Sequence, residues 1–121
     1  MIELEIRGLE QFQRQLRRLS ESMRGQVVQD ALMTGGYIIE GYAKTEVPVD
    51  TGFLRSSIQT ARGPDDTVVV SAEAEYAAYV EYGTSRMAAR PYMRPAAEEH
   101  MPEIEQAIAA AMSDALAKAM P

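Results

Sequence analysis

Two adjacent glycines, Gly35-Gly36, stand in the middle of a segment that otherwise reads as one amphipathic helix, from about Gln26 to Thr45. Val28, Leu32, Gly35, Ile39 and Tyr42 lie along one side of it, with Val27, Ala31 and Ile38 beside them. Each glycine costs a helix interior about 1 kcal/mol relative to alanine. Keeping two of them together requires a reason. Close backbone packing against a sheet or another helix is the direct one, and a kink is the other. Glu46-Val47-Pro48 ends the segment, because the residue before a proline is pushed out of helical geometry.

The flanking sequence indicates what such a helix would pack against. Ile2–Ile6 (IELEI) alternates apolar and acidic residues with period two, so it reads as a half-buried strand with Ile2, Leu4 and Ile6 on the covered face. Gly8 closes it. Leu9, Phe12, Leu16, Leu19 and Met23 then recur at spacings of three and four, which predicts a first helix with Gly25 as its terminator. After Pro48, Asp50-Thr51-Gly52 is turn chemistry. Leu54, Ser56, Ile58 and Thr60 share a face in an extended reading, Arg62–Asp66 is a turn, and Val68, Val70 and Ala72 line a return strand. A short helix near Glu75–Tyr82, an irregular loop over Gly83–Pro95 and a last helix from Ala96 towards Ala119 complete the order. Met101, Ile104, Ile108, Met112 and Leu116 form that last helix's stripe.

Segregated strands and helices predict an α+β fold: a small, mainly antiparallel sheet of three or four strands with helices packed on one side. A chain of 121 residues is expected to form a single domain, residues 1–121. The sheet edges are not closed within one chain, which leaves them open to partners.

Composition removes many function classes. There is no cysteine, so thiolate metal sites, disulfides and cysteine nucleophiles are absent. No apolar run approaches the roughly 20 residues of a membrane-spanning helix. The N-terminal MIELEIRG carries two glutamates and no apolar stretch, so a signal peptide is not expected. Net charge is −6, opposite to what a phosphate-gripping protein carries. The last 26 residues hold five acids against Lys118 alone.

Catalytic chemistry finds little support. The one histidine, His100, stands among Glu98, Glu99 and Glu103 and reads as a solvated helix residue beside acids. Those four residues include metal-ligating types, but a carboxylate cage needs a second helix, and first-turn acids that offset the helix dipole explain them better. No nucleophile elbow and no phosphate-binding glycine loop is present. No enzyme activity, cofactor or metal is expected. The arginines of the first helical segment (Arg7, Arg14, Arg17, Arg18, Arg24) are nearly balanced by Glu3, Glu5, Glu10 and Glu21 and read as a solvated face.

The loop YGTSRMAARPYMRPA differs from the rest. Arg86, Arg90 and Arg94 recur every four residues, but Pro91 and Pro95 prevent one continuous helix. Arginine supplies multi-donor heads for carboxylates or phosphates, and Tyr82, Tyr92 and Met93 add interface-type surface. Two readings remain open: a binding surface, or an internal crossover whose arginines pair with the chain's own acids.

VPVDTGFLRSSI (Val47–Ile58), followed by YAAYVEYGTSRMAARPYMRPA (Tyr76–Ala97), resembles the tail-component family of siphophages and prophages, also described as tail-completion or head–tail joining proteins. The matching residues are Asp50, Thr51, Gly52, Leu54 and Arg55 in the first block. Tyr76, Ala77, Glu81, Gly83 and Thr84 match in the second, and Arg90, Pro91, Pro95 and Ala96 in the third. The resemblance implies a structural virion protein that completes the head-proximal end of the tail and joins it to the neck. It implies a ring, hexameric in the virion, that contacts tail-tube and head-closure proteins. DNA would pass through the channel without specific binding, and no membrane is involved. Localisation would be the virion, with assembly in the host cytoplasm. Tyr82, Gly83, Thr84, Arg86, Arg90, Pro91, Tyr92, Arg94 and Pro95 are the interface expected on this basis, and the loop and the acidic C-terminal segment are a candidate pair of complementary patches. From a different class, a prophage-encoded regulatory or toxin-type nucleic-acid-binding module is the alternative.

Overall fold

A computed structural model describes residues 2–6, 12–48 and 52–119. It contains strands β1 (Ile2–Ile6), β2 (Ile58–Arg62) and β3 (Val68–Ala72). The helices are α1 (Gln13–Leu16), α2 (Glu21–Glu46), α3 (Phe53–Ser56), α4 (Ala77–Tyr82), α5 (Met93–Glu98) and α6 (Met101–Ala119). The three strands form an antiparallel open sheet in the order β1-β3-β2. The expected α+β class with a small sheet is what the chain adopts.

The glycine pair lies where the layers meet. A Cβ on Gly35 would lie 2.5 Å from Ile108 Cδ1 of α6, and one on Gly36 would lie 2.5 Å from Thr60 Cγ2 of β2 and 3.1 Å from Val68 Cγ1 of β3. α2 therefore touches α6 through one glycine and the sheet through the next, and close packing is the explanation for both. Val28, Leu32 and Ile39 of α2 are buried with Ile58, Val68, Val70 and Ala72 of the sheet and Ile104, Ile108, Met112 and Leu116 of α6. Each large apolar side chain buried there contributes about 1.5–3 kcal/mol over an exposed one. Leu4 pairs with Val70, which pairs with Thr60, so this row crosses all three strands on the face that meets α2. Glu3, Gln59 and Ala61 are exposed on the other face.

Four boundaries differ from the sequence expectations. The first helical segment ends at Leu16, and α2 begins at Glu21 and runs through Gly25, which terminates nothing. The Ser20 hydroxyl accepts a hydrogen bond from the Met23 N–H at 3.3 Å, and this cap sets the start that the stripe alone did not reveal. Leu54 and Ser56 belong to α3 rather than to a strand, and β2 begins only at Ile58. The last helical region is two helices, with Glu99 and His100 between them. Met101 of the expected apolar stripe is 42% exposed because α6 starts there, past the layer formed by Ile104 to Leu116. The end of α2 is as expected, with Val47 extended at ψ 138° before Pro48. Gly8, Leu9, Asp50 and Thr51 lie outside the described residues.

Candidate functional site

The loop that follows α4 is held by a buried carboxylate. Glu81 lies on the inward side of α4 with Ala77, one turn before it, and is 3% exposed. Its Oε1 accepts the backbone N–H groups of Tyr92 (3.0 Å) and Met93 (2.8 Å), and its Oε2 accepts that of Arg94 (3.2 Å). These are the donors that open the first turn of α5, where no backbone acceptor is available. The next residue is Pro95, which has no N–H to satisfy. Carboxylate and proline together account for every donor at that helix start. The negative charge also opposes the positive end of the short helix.

Tyr92 forms the other half of the anchor. It is fully buried, and its hydroxyl donates to the Ala77 carbonyl at 3.1 Å. Burial, and then the nearby Glu81 charge, push its phenol well above the ordinary tyrosine range. The expectation that Tyr92 offers contact surface is therefore corrected. Its ring fills the core, and a partner could not reach it without unfolding the anchor. Pro95 is likewise relocated from the loop to the first turn of α5, where a proline is well tolerated.

Between these anchors the chain makes a tight, wholly exposed excursion. Gly83 has φ +77°, and a Cβ there would lie 2.7 Å from the Ala89 nitrogen and 2.9 Å from the Met87 carbonyl oxygen. Thr84 and Met87 exchange backbone hydrogen bonds, and the Arg90 N–H donates to the Val80 carbonyl at 2.8 Å. Residues 84–91 are all exposed. Arg94 pairs with Glu98 on the surface at 3.4 Å, as an internal crossover would have it. Arg86 and Arg90 make no ion pair among the described residues.

Apolar surface surrounds those arginines. Tyr79 and Tyr82 of α4 are 58% and 68% exposed, and Phe53, Tyr76 and Met87 are also exposed. The rings of Phe53 and Tyr76 lie 6.2 Å apart and tilted. Pro48, Gly52, Leu54, Tyr76, Val80, Met87 and Arg90 line a small cleft of about 120 Å³. It joins Gly52 and Leu54 of the DTGxLR block to the loop of the third block. Gly52 itself has φ +82° at the start of α3, the left-handed geometry that its turn requires. Arg55 is exposed on α3, while Asp50 and Thr51 lie outside the described residues.

His100 is placed differently from the solvated residue expected. Its ring stacks on Tyr42 of α2, with centroids 3.4 Å apart and planes parallel to within 1°. Among the described residues, no helix is long and apolar enough to cross a membrane.

No curated protein and no solved structure matches the chain. A family model described as "Bacteriophage HK97-gp10, putative tail-component" matches residues 10–83, which include the first block and the second as far as its glycine. Thr84 and the Arg-Pro block lie beyond that match. With more than half of its length covered, the chain belongs to the HK97 gp10-like family of bacteriophage tail components.

Proposed function

We propose that this tail component completes the head-proximal end of the tail and joins it to the neck as a ring of copies, six in the virion. The observation that carries this reading is the exposed loop 84–91, fastened at both ends by Glu81 and Tyr92, with Arg86 and Arg90 free of ion pairs among the described residues and beside exposed tyrosines. Tyrosine, methionine and arginine are the side chains enriched at protein interfaces. A loop anchored in advance loses little entropy when it docks. Tyr82, Gly83, Thr84, Arg86, Arg90, Pro91 and the exposed part of Arg94 form the contact surface, while Tyr92 and Pro95 support it from behind.

A ring contact joins one patch to a different patch on the next copy. The exposed acids Glu98, Glu99 and Glu105 give the loop's arginines a complement of opposite charge. A net charge of −6 suits a channel that lets DNA slide rather than one that grips it. Particles assembled with Arg90→Glu in place of the natural chain are expected to show filled heads separated from tails by electron microscopy. Joined, infectious particles from that variant, and equally from Arg86→Glu/Arg90→Glu, would overturn the assignment of this loop.

A further inference from the structure

We infer that Glu46, Glu99 and His100 form a binding site for a divalent transition-metal ion of the zinc class, which would staple the end of α2 to the joint between α5 and α6. This inference does not rest on the head–tail reading, since it needs no partner protein, although Glu99 also belongs to the acidic segment that complements the loop there. A single helix supplies only one side of a metal cage. The fold supplies the other side. Glu46 is the last residue of α2, while Glu99 and His100 occupy the break between α5 and α6. One carboxylate oxygen from each glutamate and one imidazole nitrogen all lie within 4.8 Å of one another.

Three features favour a cation over a simple acidic surface. The imidazole makes no hydrogen bond among the described residues, and its Nε2 faces the Glu46 carboxylate at 3.8 Å, beyond hydrogen-bond reach. Its plane is already set, because the ring lies flat against Tyr42, whose hydroxyl in turn donates to Glu103 at 2.6 Å. Among the described residues, neither carboxylate has a lysine or arginine partner. Lys44 is drawn to Glu40 and Arg94 to Glu98, so neither basic side chain neutralises Glu46 or Glu99.

The donor set selects the metal. One imidazole nitrogen with two carboxylate oxygens matches zinc and its first-row neighbours better than magnesium or calcium, which prefer oxygen alone. Bonds of about 2.0–2.2 Å around a tetrahedral ion place ligand atoms about 3.4 Å apart. Closing from the present spacing takes rotamer changes in Glu46 and Glu99, both on the surface and free to make them. Three protein ligands leave a fourth position for water. The bound ion would hold the α5–α6 joint against α2.

The single histidine makes the test direct. Untagged protein carrying ¹⁵N-labelled imidazole is titrated with ZnCl₂ at neutral pH and followed by NMR, with thermal unfolding measured in parallel. The expected result is a saturable shift at one equivalent and a zinc-dependent rise in unfolding temperature. Glu46→Gln and Glu99→Gln should each weaken binding on the order of tenfold or more. His100→Ala should remove the thermal effect. Zinc-free unfolding temperatures of the variants separate lost binding from lost folding, and Tyr42→Phe keeps the stacking ring as a further control. No saturable shift below about 1 mM zinc, an affinity too weak to matter, would overturn the site. So would glutamine variants that bind like the natural chain, because the imidazole would then be acting alone.

Discussion

The core around α2 and the loop beyond α4 each rest on a residue that looks wrong for its surroundings, and the two are wrong in opposite senses. At the centre of α2 the chain omits side chains, and Gly35 and Gly36 let α6 and the sheet approach the helix backbone. Beneath the loop it buries a charge, and Glu81 does with one carboxylate what no apolar contact could do for three open N–H groups. The first device is non-directional and spread over many neighbours. The second is directional and concentrated in one side chain. A core built on close approach degrades gradually when altered, whereas a loop built on one anchor should fail at once.

That contrast predicts the largest effect at Glu81. Glu81→Ala strands three backbone donors, at about 1 kcal/mol or more each, for a loss near 3 kcal/mol by chemical denaturation. Glu81→Gln should lose less. Its amide oxygen can still accept from Tyr92 and Met93, and only the Arg94 N–H then meets another donor. If alanine and glutamine cost the same, the carboxylate is not the anchor. Proteolysis within 84–91 should rise in step with the alanine variant's loss, because the loop's far end is released.

The next effect belongs to Gly83. A side chain there suffers a positive φ and runs into backbone atoms of Ala89 and Met87, which have no rotamer to retreat into. Gly83→Ala should cost about 2 kcal/mol. Unlike the Glu81 variant, it should change the loop's shape while leaving the α5 cap intact. Exchange of the Tyr92, Met93 and Arg94 amides with solvent therefore separates the two: fast in Glu81→Ala, still slow in Gly83→Ala.

Within α2 the glycines should divide by environment. Gly36→Ala meets the Thr60 methyl, and Thr60 cannot simply rotate because its hydroxyl donates to the Gly36 carbonyl and to Glu40. Overpacking of about 1–3 kcal/mol outweighs the roughly 1 kcal/mol gained in helix propensity. Gly35→Ala meets Ile108 Cδ1 at 2.5 Å and Cγ1 at 2.8 Å, side-chain atoms that no hydrogen bond holds in place, so its cost should be smaller. Gly25→Ala has nothing within 4 Å and should stabilise by about 0.5–1 kcal/mol. A denaturation series in which all three alanines behave alike would mean that packing does not explain the pair.

How much of this was legible beforehand follows the same division. Periodicity carried the core: the return strand of the hairpin, the α2 stripe and the Ile104–Leu116 stripe lie where spacing placed them, and the glycine pair announced a close approach. What spacing missed was decided by single polar groups. Ser20 capping overrode the helix expected to run to Gly25, and α3 formed where alternation suggested a strand. At the loop, arginines and prolines were visible as a pattern, yet Glu81 entered only as a motif residue. Its partners lie 11 to 13 residues downstream and are backbone atoms, which leave no mark in a pattern of side chains. An acid one turn after Ala77, on the apolar side of a short helix, was the one available clue. Tyr92 was misplaced for a related reason: a tyrosine between exposed arginines reads as surface until its hydroxyl is found bonded to a buried carbonyl.

The smallest effect should come from the charges that join α2 to the hairpin. Arg62 of β2 pairs with Asp30 of α2 and also donates to the Gln29 side chain, while Gln29 donates to the carbonyls of Gly63, Asp65 and Thr67. The Arg62 hydrogen bond, followed by that from Gln26, holds the Asp30 carboxyl below its ordinary value of 3.8. A depressed carboxyl stabilises the fold above its unfolded pKa, and that contribution disappears as pH falls through the lower folded value. Both side chains are about half exposed, so solvent screening keeps the pair below about 1 kcal/mol. Arg62→Gln should therefore unfold slightly more easily than the natural chain near pH 7 and converge with it in acid, once pH falls through the lowered Asp30 value. The Gln29 amide, which makes no use of that charge, should keep the hairpin turn docked at both pH values. A large, pH-independent loss from Arg62→Gln would instead place Arg62 beside Glu81 as a single-residue anchor, and the division between a distributed core and a concentrated loop would have to be redrawn.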